Sequence, residues 1–499
     1  MQRAIMLQDN LRKAADLTDG EITFGTACSG TDLLVAQLRI LADFWLANYG
    51  VRIRFRHRFA CDVKAAAQNF IMEHWEPEML FEDVCKISVH SKDVLSGQLC
   101  QAPYVDIFVS GFECDNYSAL NLHHSTAPGS IEEVRGPSGE SASGCLSYVF
   151  HARPAMVCFE NVKNLNMKRK DPETGEHTSD LDVIQRLMNA NGYLMQRLLL
   201  NARHYLSPQN RERWYLFCTR VSDGPIDQGR ASFEPPHNLQ LLPLYLRDMR
   251  VQEPFSVEDF LLEDDDPNVL RWLQERRRTK EKDRGKKGEE FKVVHLEEYQ
   301  HAKLTWPPVY KDDEQLALAT EHLPERQREC AWYHVKVAES QTVATEHIID
   351  LNLNLEWSAA CNTNTECPYI VSTSKLFAVG RRRELCGNEA LALQGLWHSE
   401  LKTDQFSNLQ IIDLAGNAFN GFVLQALFVG IVSVFPWELL GALGPQETGA
   451  DVPGGTSIKG GGAADSNDES DHSTAHGGCA KGGSDGAESL DLLTDCDSS

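Results

Sequence analysis

Cys114 stands in VSGFECDNYSALN (109–121), a turn of small residues that follows the apolar run YVDIF (104–108). A buried strand ending in a tight turn is a common way to present a nucleophilic thiol. The neighbours oppose ionisation, because Glu113 and Asp115 flank the sulfur and nearby carboxylates disfavour the thiolate. Nucleophile, relic of one and plain buried sulfur therefore stay open at this point. Further along, Glu160 lies in FENV, and Gln209, Arg211 and Arg213 alternate in LSPQNRERWYLF (206–217), a spacing that sends them to one side of an extended chain. Nearer the start, TACSGTD (26–32) sets Cys28, Ser29, Gly30 and Thr31 in a small-residue turn whose amides can approach a ligand. Asp62 closes RIRFRHRFACD, where a carboxylate can hold ribose hydroxyls, and Asp83 in FEDVCKI sits similarly after the next apolar run. Taken singly, each is more often a turn or surface residue than a functional one.

The elements that must position these residues are legible as alternating runs. Strands are expected at 21–27, 52–62, 104–110, 155–161, 194–200 and 213–218, with helices at 32–49 and 179–192, the second ending on a capping glycine. Strand–helix alternation implies an α/β fold with an open, mostly parallel, doubly wound sheet, and such sheets bind ligands beyond the carboxyl ends of their strands. RIRFRHRF alternates basic with apolar residues and reads as a solvated sheet face rather than a phosphate contact. The rhythm breaks after Thr219. An acidic patch at 262–267 and a basic run at 275–292 mark a region of different character, and apolar helical periodicity resumes at about 378. GFVLQALFVGIVSVF (421–435) is apolar but only 15 residues long, which suits a buried helix better than a membrane span.

Formal net charge is −24, and 446–499 contributes 11 acidic and 2 basic side chains to it. A nucleic-acid partner must therefore meet local basic patches against a repulsive overall field. The 14 cysteines include no CxxC pair, so no zinc ribbon or disulfide framework is expected; His334, Cys361 and Cys367 are better read as structural than as metal ligands. No secretory signal opens the chain, and no membrane partner is expected.

Together these stretches resemble the cytosine-5 DNA methyltransferase family. PQNRER is similar to that family's QxRxR element, FENVKN to its ENV element and GFECDNYS to its GFPCQxFS loop. RELCGNEALALQGLW (383–397) resembles RxLTxxExxxLQGFP, and AGNAFNGFV (415–423) resembles GN(S/A)VxxxV. The family order is kept, with a variable stretch where a target-recognition domain would lie. The resemblance implies a Rossmann-like methyltransferase sheet and S-adenosylmethionine as cofactor, held by Cys28, Ser29, Gly30, Thr31, Asp62, Val63, Asp83, Val84 and Asn417. It implies Cys114 as the nucleophile that adds to carbon 6 of a flipped-out cytosine, Glu160 at nitrogen 3, and Arg213 at the carbonyl oxygen with Arg211 in support. No metal is implied.

The expected organisation is an N-terminal extension (1–20), a catalytic domain (21–224), a target-recognition region (225–377), the end of the catalytic domain (378–443) and a disordered tail (444–499). Departures from the family are Glu113 and Asp115 in place of Pro and Gln, and a first turn that lacks paired glycines and puts the Asp32 carboxylate near the methionine end of the cofactor. A polar loop at 123–144 is expected to close over the nucleic acid. DNA is the expected substrate and the nucleus the expected location. An RNA-directed enzyme and a catalytically inactive binding protein are the alternatives.

Overall fold

The six β-rich runs of the N-terminal half become strands of a single sheet in the computed structural model, which describes residues 2–114, 117, 131, 133–134, 136–170, 175, 177–226, 236–278, 290–340, 347–360, 367–397 and 401–442. All of these belong to one unit, Met1–Val452. The strands are β1 (Glu21–Ala27), β2 (Arg54–Cys61), a short edge strand β3 (Met79–Phe81), β4 (Ile107–Ser110), β5 (Met156–Val162), β6 (Tyr193–Asn201) and β7 (Glu212–Arg220). Their order across the sheet is β6–β7–β5–β4–β1–β2–β3. From β5 to β3 the strands run parallel, while β7 is antiparallel to both β5 and β6. The order reverses direction at β1 and β4, the switch point where an open α/β sheet leaves a crevice. TACSGTD and GFECDNY are the two turns at that point.

Helices cover both faces. α1 (Gln2–Leu17), α2 (Leu34–Tyr49) and α3 (Ala65–His74) share one apolar layer with Phe24, Val109 and Met156, and α2 contributes Leu34, Leu38, Leu41 and Trp45 at helical spacing. On the other face α4 (Gly136–Ala152) and α5 (Asp180–Ala190) pack with Phe59, Phe108 and Phe159, and Tyr148 meets Phe59 edge-on at 5.1 Å. A capping box of Ser179 and Asp182 starts α5. Beyond its end Gly192 takes φ +81°, and a Cβ there would lie 2.1 Å from Ser222 O, so only glycine fits the turn. The segment expected as a loop at 123–144 is helical from Gly136 onward. Its small residues serve packing, since a Cβ on Gly144 would come within 2.8 Å of the Cys85 backbone.

The basic face of β2 is neutralised by ion pairs. Arg56 reaches Glu21 and Glu78, Arg58 reaches Glu78, and His57 turns inward onto Phe24 at 4.6 Å. The region after β7 builds its own core from Tyr299, Trp332, Tyr333, Leu355 and Phe377. Its helices α6 (Glu290–His301) and α7 (Glu325–Ser340) accompany a small antiparallel sheet of β8 (Ile348–Asp350), β9 (Leu376–Ala378) and β10 (Arg383–Glu384). The chain then returns through α8 (Gly387–Leu393), α9 (Asn408–Asn417) and α10 (Gly421–Val434). Residues Asn408–Val434 are apolar enough to suit a membrane, yet most of this stretch is buried in the fold. α10 joins the layer of α1 and α2: Asn10 bonds Ser433 O, and Gln37 Nε2 donates to Gly395 O at 3.0 Å. Asp115, Cys361, most of 275–292 and the tail from 444 lie outside the described residues.

Candidate active site

A cavity of about 740 Å³ opens beyond the carboxyl ends of the central strands. Strand order spreads its lining along the sheet edge. Glu160 on β5 and Arg213 on β7 stand to one side, Cys114 follows β4, Cys28 and Gly30 follow β1, and Asp62, Val63, Asp83 and Val84 follow β2 and β3. Arg211 and Asn417 complete the set of sequence-predicted residues in this one space.

The turn after β1 is tight because Cys28, Gly30 and Asp32 all adopt left-handed backbone, with φ of 51°, 64° and 52°. Gly30 N–H donates to Asp62 Oδ2 at 3.1 Å and Lys64 N–H to Oδ1 at 2.9 Å, which fixes the carboxylate at the cavity wall. Burial pushes the Asp62 carboxyl up to about 6, against the pull of those two amides. A Cβ on Gly30 would press on Asn417 O at 3.2 Å, so the first turn and the end of α9 meet through a position that only glycine suits. Burial acts on Asp83 too, but the Lys86 ammonium at 2.7 Å and the Cys85 amide hold its carboxyl below the ordinary range.

Three residues of the first turn stand away from the cavity. Ser29 and Thr31 do not line the cavity: Ser29 Oγ donates to Asp32 Oδ1 at 3.2 Å, and Thr31 O accepts from Trp75 Nε1 at 2.7 Å. Asp32, expected near the methionine end of a cofactor, is fully buried behind the turn. Its carboxylate accepts from Thr26 Oγ1 at 3.0 Å and faces His57 Nε2 at 3.2 Å. The left-handed backbone at Asp32 and the polar partners supplied by β1 and β2 draw it inward.

On the other side of the switch point, the loop carrying Cys114 is anchored to α4. Glu113 N–H donates to Ser141 Oγ at 3.0 Å, and Ser141 Oγ donates onward to Pro137 O at 2.7 Å. Glu113 Oε1 accepts from the Cys114 N–H at 3.0 Å, so the carboxylate expected to bear on the sulfur is engaged with its amide. Cys114 is half-buried and outside any disulfide. Glu160 Oε1 lies 3.4 Å from Arg213 Nε and 4.0 Å from Arg211 Nη2, and it is buried without a hydrogen bond.

The three residues of QxRxR do not share one task. Gln209 is absent from the cavity; its Nε2 donates to Leu393 O at 2.7 Å and its Oε1 accepts from Ile370 N–H at 3.3 Å. Arg211 donates to Ile370 O at 2.9 Å and Ala418 O at 3.1 Å. Burial first, then the charge of Arg213, lowers Arg211 to about 10. It braces the wall from behind, and Arg213 is the guanidinium beside Glu160.

The late elements explain the brace. Gln394 Nε2 donates to Ala415 O at 2.8 Å, Gly421 N–H to Gln394 O at 2.8 Å, and Asn420 Nδ2 to Ser207 Oγ at 3.2 Å. Gly416 lies within α9, and a Cβ there would sit 2.2 Å from Ser372 N. These contacts bring Tyr369, Val371, Ser372 and Thr373 into the cavity wall. Sequence reasoning missed that wall, and Ser141 with it, because no local pattern links residues so far apart. Among the described residues no cluster suits a metal ion.

A family model described as C-5 cytosine-specific DNA methylase matches residues 46–432. The chain belongs to this family. As a member it is similar to the DNA (cytosine-5-)-methyltransferase DMT5 of Cryptococcus neoformans, 24% identical over 480 residues, 89% of this chain and 18% of that protein. The DMT5 of Verticillium dahliae is 23% identical over 483 residues, 82% of this chain and 19% of its own. The Type II methyltransferase M.NlaIV of Neisseria lactamica is 29% identical over 159 residues, 32% of this chain and 33% of that enzyme. The chain thus spans about a fifth of the length of its fungal relatives.

Proposed function

We propose that this methylase transfers a methyl group from S-adenosylmethionine to carbon 5 of a cytosine flipped out of duplex DNA. One observation carries the reading: Cys114, Glu160 and Arg213 share a single cavity with Asp62, Asp83 and Asn417. The residues present fit the cofactor. The cavity volume of about 740 Å³ lies within the ordinary range for small-molecule sites, the buried Asp62 carboxylate faces it, and Gly30 keeps open a cradle against Asn417. Asp62 would accept from the ribose hydroxyls, Asp83 and Asn417 would close the same end, and Val63 and Val84 would offer apolar contact. Bound there, the cofactor supplies an electrophilic methyl group.

The chain's own residues do the rest. The Cys114 thiolate adds to carbon 6 of the base, which makes carbon 5 nucleophilic. Glu160 holds a proton at nitrogen 3 as electrons move into the ring, and Arg213 stabilises the charge growing on the carbonyl oxygen. Arg211 keeps Arg213 and the 370–373 wall in register. Once carbon 5 has bonded the methyl group, loss of its proton to solvent expels the thiolate and restores the ring. Residues 225–377, with their own core, fit a target-recognition region, and the basic run at 275–292 is the basis for proposing a nuclear location.

Tritium transfer from labelled S-adenosylmethionine to duplex DNA, with transfer RNA and Cys114→Ala as comparisons, tests the reading. Transfer to DNA that vanishes in Cys114→Ala is expected. Transfer to RNA alone would move the substrate class, and bound DNA without any transfer would favour an inactive binding protein.

A further inference from the structure

Tyr369 is a large aromatic side chain left 40% exposed on the wall of the candidate active site. The backbone beneath it is tied down on both sides. Cys367 N–H donates to Pro208 O at 3.0 Å and Asn210 N–H to Cys367 O at 3.4 Å, forming a parallel bridge between Gln209 and Cys367. One residue beyond Tyr369, Ile370 is gripped by the side chains of Gln209 and Arg211. The segment that carries Arg213 therefore also holds the backbone from which the Tyr369 ring projects. Among the described residues that ring stacks on no other ring and its hydroxyl makes no hydrogen bond.

A lone exposed aromatic is unremarkable on most surfaces. This one differs by its place and its support, because it shares a cavity with Cys114, Glu160 and Arg213 and pays little entropy to stay ordered. Flipping a base leaves its neighbours without a stacking partner, and an aromatic face can replace that partner for any base. With net charge −24 the chain repels phosphates at range, so a contact that does not depend on charge has more to contribute.

We propose that Tyr369 stacks on a nucleobase of the DNA at the mouth of the cavity and holds the strand while the target cytosine occupies it. This rests on the proposed function. The test uses the full chain as wild type, Tyr369→Ala and Tyr369→Phe, with fluorescence anisotropy on a labelled mixed-sequence duplex across a salt series. S-adenosylmethionine binding by calorimetry and methyl transfer are measured on the same preparations. Tyr369→Ala is expected to bind the duplex about tenfold or more weakly, with Tyr369→Phe within about twofold of wild type. The slope of affinity against salt should not change, because the ring neutralises no phosphate. Cofactor affinity should be equal in all three.

Equal DNA affinity in all three proteins overturns the proposal. So does a matching loss of cofactor affinity in Tyr369→Ala, which assigns the ring to the cofactor or to the wall itself. A Tyr369 dependence seen with transfer RNA and not with duplex overturns the DNA assignment. A wild type that binds duplex with the expected Tyr369 dependence but transfers no methyl group leaves this inference standing and sinks the proposed activity instead.

Discussion

Asp62 sets stability against binding, and replacing it with asparagine separates the two. The carboxylate is 7% exposed, and burial lifts it from an ordinary 3.8 to about 6 even though two backbone amides favour its charge. That gap corresponds to about 3 kcal/mol. A carboxyl raised by folding binds its proton more tightly in the native state than in the unfolded chain. Its stabilising contribution is therefore complete below about 3.8 and is lost as pH rises through about 6. Asp62→Asn cannot ionise and should behave like the protonated wild type. The melting temperature of the variant relative to wild type should rise between about pH 4 and about pH 7 and level off above, with a total of roughly 3 kcal/mol in the variant's favour. Its S-adenosylmethionine affinity should fall severalfold or more, since a charge-assisted hydrogen bond contributes about 1.5–3 kcal/mol. Scanning calorimetry across the pH series and titration calorimetry with the cofactor measure both. A stability difference that stays constant or shrinks with rising pH would refute the account of a buried charge, and unchanged cofactor affinity would remove Asp62 from the binding site.

Glu160→Gln should lower methyl transfer by at least about 100-fold. It should also cost on the order of 3–5 kcal/mol of stability, because Arg211 and Arg213, 5% and 14% exposed, lose their shared carboxylate; normal rates under single-turnover conditions would exclude Glu160 from the chemistry. Gly416→Ala forces a Cβ to within 2.2 Å of Ser372 N, so melting should fall by the equivalent of about 1–3 kcal/mol and cofactor affinity should drop with it. Unaltered melting would mean that α9 and the wall are not in close contact. Glu113→Pro deletes the N–H held by Ser141 and the carboxylate on the Cys114 amide, so the structure expects slower transfer, while Glu113→Gln keeps an acceptor and should stay near wild type. A faster proline variant would show that the carboxylate suppresses the thiol, as the sequence alone suggests.

Much of the framework was legible before any coordinates. Buried parallel strands read as short apolar runs, so β1 matched its expected span of 21–27 to the residue, β2 and β4 fell inside theirs, and β5, β6 and β7 overran theirs by one or two residues. The positions of Cys114, Glu160, Asp62 and Asp83 followed, because a residue at the carboxyl end of a strand is placed by the sheet rather than by its own neighbours. Side-chain direction was not legible in the turns. Whether Asp32 points into the crevice or behind it depends on three left-handed residues and on His57, which arrives from β2. The alternation of Gln209, Arg211 and Arg213 was legible as a pattern, but their division of labour came from elsewhere. Ile370, 161 residues from Gln209 and 159 from Arg211, takes up the first two and leaves Arg213 beside Glu160. Local sequence determined the strands and the turns between them, since hydrophobic period and turn chemistry act over a few residues. Only the tertiary structure decided which polar groups those turns bury and which they present, since that depends on partners brought in by the far end of the chain.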